Sequence, residues 1–158
     1  PRPYSVSDLP DPIDFYGKTK LAGEPTIYPH ALTVRGSFVD WSGGLLRWLR
    51  NQEGEIEGWA NAHWNGLTAA GMARALVQLV EQDTTGITNV SGDWITKAEL
   101  LRKLAEVLDL PVTVRSVDSP RIDRRLTTFH IHDSIDYLID ELVQEYKECL
   151  AETTVSQS

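Results

Sequence analysis

Tyr16 and Lys20 stand four residues apart in the stretch FYGKTKLAGE, a spacing that places their side chains on one face of a helix. An ammonium held beside a phenol favours the phenolate and draws its pKa down from about 10 toward the working range. A phenol tuned in this way is a general acid: in a hydride transfer it would protonate the carbonyl oxygen as hydride reaches the carbon. The same pair also fits a solvated Tyr and Lys on an exposed helix, so the residues around it must decide.

Other groups are weaker. His130 and His132 alternate as metal ligands on a strand can, with Asp133 next. No second ligand cluster supports them, so surface or helix-start residues are the simpler reading and no metal is expected. Trp59 and Trp64 flank His63 in a Gly- and Asn-rich segment that could line a sugar or base pocket, or simply cover the edge of the core. Arg121, Arg124 and Arg125 make a basic loop after Ser119 and Pro120. Glu53, Glu55 and Glu57 read as a solvated acidic turn. Cys149 cannot make an internal disulfide and reads as a buried or bystander thiol rather than a nucleophile, which fits a reducing, cytoplasmic compartment.

The elements that must position these residues follow from periodicity and turn chemistry. Pro1, Pro3, Pro10 and Pro12 exclude helix and central strand from the opening segment, leaving a surface loop. A helix is predicted from Phe15 to about Glu24, with Pro25 setting its end or a kink. ALTVR reads as a buried strand that ends at Gly36, Ser37 and Phe38. LLRWLRNQ reads as a short amphipathic helix with Leu45, Leu46, Trp48 and Leu49 on its apolar face, and EIEGWANAHWNG as a strand or irregular segment. Thr68 caps a helix to about Gln82, with Met72, Ala75, Leu76, Leu79 and Val80 at helical spacing. ITNVSG is a strand. Thr96 and Glu99 make a capping box before an inner face of Leu100, Leu101, Leu104, Ala105 and Leu108, ended by Pro111. VTVRSV is a strand, and a last helix runs from Ser134 to about Leu150 before a frayed tail. Strands alternating with helices predict an α/β fold with a parallel or mixed sheet.

The chain of 158 residues has the size of about one domain. Lys plus Arg number 15 against 23 Asp plus Glu, a net charge of −8 and the wrong sign for a nucleic-acid groove. Apolar residues at 41% and charged residues at 24% are those of a globular chain, and no apolar run approaches the roughly 18 residues of a membrane helix.

The run YGKTKLAGE resembles the active-site helix of the extended short-chain dehydrogenases/reductases, particularly their dTDP-4-dehydrorhamnose reductase branch. The loop PYSVSDLPDPIDFYG is similar to the one leading to that Tyr, with Tyr4, Asp8 and the prolines in matching order. TVRGSFVDW resembles the branch's strand end after the catalytic helix. ITNVSG with DWITKAELLRKLAEVLDLP resembles its strand-loop-helix in the substrate-binding half, and SPRIDRRL its late basic loop. The resemblance covers about residues 1–127, and only the first block is highly specific.

The resemblance implies the C-terminal part of a Rossmann-like extended short-chain dehydrogenase/reductase with its smaller α/β substrate-binding region. Residues 1–40 would be a remnant of the Rossmann-like domain, 41–150 mainly the substrate-binding region with one returning helix or strand, and 151–158 a tail. The activity implied is NADPH- or NADH-dependent reduction of a nucleotide-activated 4-keto sugar. Tyr16 matches the proton donor, and Lys20 the residue that lowers the Tyr pKa and holds the nicotinamide ribose. Gly36 and Ser37 fall where the family's chain passes the nicotinamide. Phe38 falls where the branch has a Trp facing the sugar, keeping a stacking surface without the indole donor. Arg121, Arg124 and Arg125 are candidates for the nucleotide diphosphate, or a solvated loop balancing an acidic chain. The partners expected are a nucleotide-sugar substrate and a second copy in a homodimer, with no nucleic acid and no membrane.

Two departures stand out. The family's Gly-rich loop for the pyrophosphate is absent, and so is the third active-site residue, a Ser or Thr upstream of the Tyr, since Ser5 and Ser7 lie too near Tyr16. The chain is therefore expected to be incomplete, to lack reductase activity alone, and to expose apolar surface over residues 15–35. A non-catalytic nucleotide- or sugar-binding subunit, like the β subunit of methionine adenosyltransferase, is the alternative. A sugar-nucleotide epimerase or dehydratase is the third.

Overall fold

The computed structural model describes residues 2–25, 27–118, 122–127, 129–130 and 133–155, without the side chains of 129, 130 and 149–155. In chain order the elements are α1 (Phe15–Ala22), β1 (Leu32–Arg35), β2 (Phe38–Val39), α2 (Gly44–Arg50), β3 (Gly54–Trp59), β4 (Ala62–Trp64), β5 (Leu67–Thr68) and α3 (Ala69–Glu81). They continue with β6 (Gly86–Ser91), β7 (Ile95–Thr96), α4 (Lys97–Val107), β8 (Val112–Val117), β9 (Ile122–Asp123), β10 (Phe129–His130) and α5 (Ile135–Val155).

Two β-branched strands, β1 and β6, pair in parallel from Leu32 opposite Gly86 to Arg35 opposite Asn89, and β10 adds in parallel to the far side of β6. Parallel neighbours need a crossover, which here contains α3. β3 and β8 form a second parallel pair over six residues each, and β4 lies between β7 and β9, antiparallel to the first and parallel to the second. β2 and β5 pair in parallel. The alternation of strand and helix thus gives the mixed α/β architecture that the sequence pattern predicts.

Two apolar clusters hold these pieces together. One joins Leu46 and Leu49 of α2 to Leu100, Leu101 and Leu104 of α4, with Ile139 and Leu142 of α5. The other packs Met72, Ala75 and Leu79 of α3 against Val90 of β6 and Leu138 of α5. Because Leu138 and Ile139 enter different clusters, α5 splices the β1–β6–β10 sheet to the region built around α4. Arg74 of α3 adds to the splice by pairing with Asp133 at 2.7 Å and with Glu141.

Several elements differ from the sequence reading. α1 stops at Ala22 with Gly23 as its cap, ahead of Pro25. In α2 the buried residues are Leu46 and Leu49, whereas Trp48 lies off that stripe and is exposed. Likewise Leu76 and Val80 of α3 sit beside the Met72–Ala75–Leu79 stripe and are exposed. α4 ends at Val107, and Asp109 turns the chain with φ 49° before Pro111 is reached. Glu55 and Glu57 lie on β3, where their exposed carboxylates flank Arg115, so the acidic turn is a strand. α5 runs on to Val155, because ETTV holds neither Gly nor Pro to stop it. The exposed apolar surface expected over residues 15–35 is present in Phe15 and Ile27, which are 83% and 79% exposed. β1, by contrast, is half-buried along its length.

Candidate active site

α1 begins where Asp14 accepts a hydrogen bond from the Gly17 N–H at 2.6 Å, satisfying one of the free donors of the first turn. One turn of this helix brings the Lys20 ammonium to 5.5 Å from the Tyr16 ring centroid. Both side chains are exposed, and α1 buries none of its residues. What orients the helix is Glu24, just past its end, which accepts two hydrogen bonds from Arg35 of β1 at 2.8 and 2.7 Å. The guanidinium holds the Glu24 carboxyl below its ordinary range.

From Arg35 the chain passes Gly36 and Ser37 to reach Phe38. A side chain at Gly36 would meet the Met72 Cε at 2.6 Å and the Val90 carbonyl oxygen at 3.2 Å, so this glycine lets β1 lie close against α3 and β6. Ser37 Oγ accepts a hydrogen bond from the Trp64 indole Nε1, and the Ser37 carbonyl accepts one from the Leu67 N–H at 3.0 Å. Trp64 is thereby fixed beside the strand end that presents Phe38, which is exposed.

Phe38, Trp59, His63, Trp64, Lys97 and Arg124 converge on one cavity of about 280 Å³, floored by aliphatic side chains. Three aromatic walls and two cations suit a ligand with an apolar ring face and an anionic group. The sequence reading anticipated Phe38, Arg124 and the Trp59–His63–Trp64 segment, and it missed Lys97. The available signal was a basic residue in the first turn of a helix, where the dipole opposes it.

The structure separates Arg124 from Arg125 in the basic loop. Arg124 lines the cavity. Arg125 is spent on Asp123, to which it donates at 2.9 and 2.7 Å, and its guanidinium also lies 5.6 Å from the Trp94 ring. These bonds hold the Asp123 carboxyl down at about 2. Arg121, His132 and the side chains of His130 and Cys149 fall outside the described residues. Among the described residues no group of His, Cys, Asp and Glu could hold a metal ion. Nor is any helix among them long and apolar enough to cross a membrane. Tyr16 and Lys20 are not among the residues lining the Phe38–Arg124 cavity. They are tied to its Phe38 wall through the Glu24–Arg35 pair and the short segment 36–37.

No protein-family model and no curated protein matches the chain. Solved structures do. A hypothetical dTDP-4-dehydrorhamnose reductase from Sulfolobus tokodaii shares 27% identity at a TM-score of 0.64, over 83% of this chain and 55% of that one. The dTDP-4-dehydrorhamnose reductase from Clostridium acetobutylicum superposes at 0.79 with 15% identity, over 93% of this chain and 61% of that one. The Bacillus anthracis enzyme, solved in complex with NADP, superposes at 0.74 with 19% identity, over 90% and 59%.

The fold is that of an extended short-chain dehydrogenase/reductase.

Its likeness is to the dTDP-4-dehydrorhamnose reductase branch and covers most of the chain, while the chain spans 55–61% of the length of those structures. Tyr16 and Lys20, exposed and one turn apart, are the residues here that could face a nicotinamide cofactor. Lys20 carries an exposed ammonium with no carboxylate partner among the described residues, open to a ribose hydroxyl. Ser37 Oγ accepts from Trp64 and keeps its own O–H free to donate.

Proposed function

We propose that this chain is the substrate-side part of a reductase that uses NADPH or NADH to reduce a nucleotide-activated 4-keto sugar. The observation that carries the reading is the Tyr16–Lys20 pair, one turn apart on an exposed helix, in a fold shared with dTDP-4-dehydrorhamnose reductases. The bound nicotinamide would supply hydride. Tyr16 would give its phenolic proton to the oxygen of the reduced carbonyl, and the Lys20 ammonium would stabilise the phenolate left behind. Phe38 would offer its ring to the sugar face and Arg124 its guanidinium to the diphosphate. The reading assigns to these residues the proton donor and the sugar-nucleotide cavity, and no part of a pyrophosphate site.

The test is NADPH oxidation by the full-length gene product with a dTDP-4-keto-6-deoxy sugar. Tyr16→Phe should lower the rate by about 10²–10⁴-fold with the fold unchanged. A Tyr16→Phe protein that reduces the sugar at the parental rate overturns the assignment. Binding of the sugar nucleotide without turnover by the parental protein would instead indicate a non-catalytic binding subunit.

A further inference from the structure

In a chain of net charge −8, several of the described cations are already engaged. Arg125 is paired with Asp123, Arg115 with Glu55 and Glu57, and Arg102 donates to the Val114 carbonyl and to Ser116. Lys97 and Arg124 differ. Both line the Phe38–Arg124 cavity, and neither has a carboxylate partner among the described residues. Among the described residues this cavity's wall contains no Asp or Glu, so two positive charges face an otherwise apolar and aromatic space. Such an arrangement favours an anionic occupant, because the low-polarity wall strengthens the attraction.

Lys97 is also placed against its local interest. It is the first residue of α4, where the helix dipole disfavours a cation, and Glu99 in the same turn is occupied by the Thr96 capping box. Its ammonium rests 5.3 Å from the Trp59 ring centroid. A cation over an indole face is held more weakly than one hydrogen-bonded to a phosphate, so an arriving anion can redirect it. A second cavity of about 270 Å³ shares Leu45, Trp59 and Lys97 with the first and is lined besides by Trp48, Leu101 and Glu57, whose carboxylate is paired with Arg115. Leu45, Trp59 and Lys97 thus border both cavities, with Phe38 lining the first and the exposed Trp48 ring the second.

We propose that Lys97, poised over Trp59, is a specificity-determining residue that holds the diphosphate of a nucleotide-activated ligand opposite Arg124. The sugar then lies toward Phe38 and the nucleoside along Trp59 and Trp48. This rests on the nucleotide-sugar reading of the cavity given above.

Titration calorimetry on the full-length protein with thymidine diphosphate, thymidine and inorganic diphosphate tests it. Thymidine diphosphate should bind at least about ten-fold more tightly than thymidine. Lys97→Met should weaken thymidine diphosphate by about ten-fold or more, leave thymidine unchanged, and be largely rescued in Lys97→Arg. Thermal melting of each variant shows whether the fold is kept. Parental affinity for thymidine diphosphate in a folded Lys97→Met protein overturns the inference while leaving the reductase reading intact, as does failure of the parental protein to bind any of the diphosphates in the presence of normal turnover. Lys97-dependent binding in a protein without reductase turnover supports the inference and overturns the reductase reading.

Discussion

Glu24 and Arg35 form a two-pronged ion pair across the loop that joins α1 to β1, with both side chains largely shielded from solvent. It ties the end of α1 to β1, while the helix itself has no fully buried residue. Glu24→Gln should cost about 1–2 kcal/mol, because a hydrogen-bonded charge is left without its partner. The Glu24 carboxyl is held below its ordinary value of 4.5, so its stabilisation is complete above that pH and is lost as pH falls below it. Hydrogen exchange at pH 7 should show faster exchange of the α1 amides in the variant. Unchanged α1 protection would show that something other than Arg35 holds the helix.

A second pair, Asp123 with Arg125, anchors the segment after β9. The Asp123 carboxyl is nearly inaccessible and is held at about 2, against an ordinary 3.8. A depressed carboxylate pKa stabilises the fold above the ordinary value and loses that contribution as pH drops from 3.8 toward 2. Asp123→Asn should cost about 2 kcal/mol at neutral pH and flatten the acid limb of a stability-against-pH curve. A variant with an unaltered acid limb would remove Asp123 from the account of acid unfolding.

Much of this arrangement is legible in the sequence, and its gaps have physical causes. The Thr96–Glu99 capping box and the Leu100–Leu104 face are local signals, satisfied within one helix turn, and they appear where expected. Phe38, Trp64 and Arg124 meet only through pairings between strands far apart in sequence, β2 with β5 and β4 with β9, which no local pattern reports. Lys97, at the start of α4, escapes notice for the same reason, since its neighbour Trp59 lies far back in the sequence on β3. Leu76 and Val80 mislead in the opposite direction: helical spacing says which residues share a face, and the width of the covering surface decides which of them are buried.

The Thr96 cap offers a test of how far local signals carry stability. Thr96 accepts from the Glu99 N–H, and the Glu99 carboxylate accepts from the Thr96 N–H at 3.0 Å. Thr96→Ala removes the hydroxyl half of this exchange and should cost about 1 kcal/mol. For a chain of this length that lowers the melting temperature by about 2–4 °C. Calorimetry of the variant checks it, and a fall well beyond that range would mean the hydroxyl also supports the β4–β7 pairing opposite His63.

The Trp64 indole separates the geometry of the cavity from its surface. Its Nε1 donates to Ser37 Oγ, so the ring is tethered to the chain just before Phe38. Trp64→Phe keeps an aromatic wall and deletes the donor, costing about 1 kcal/mol of stability for one neutral hydrogen bond. If the tether sets the spacing of the Phe38 and Trp64 rings, sugar-nucleotide affinity should fall several-fold while the melting temperature drops by only a few degrees. Ser37→Ala removes the same bond from the other side and should reproduce the loss. When both single variants and the double variant weaken binding equally, the bond itself is responsible; additive losses would assign the effect to ring size and hydroxyl separately.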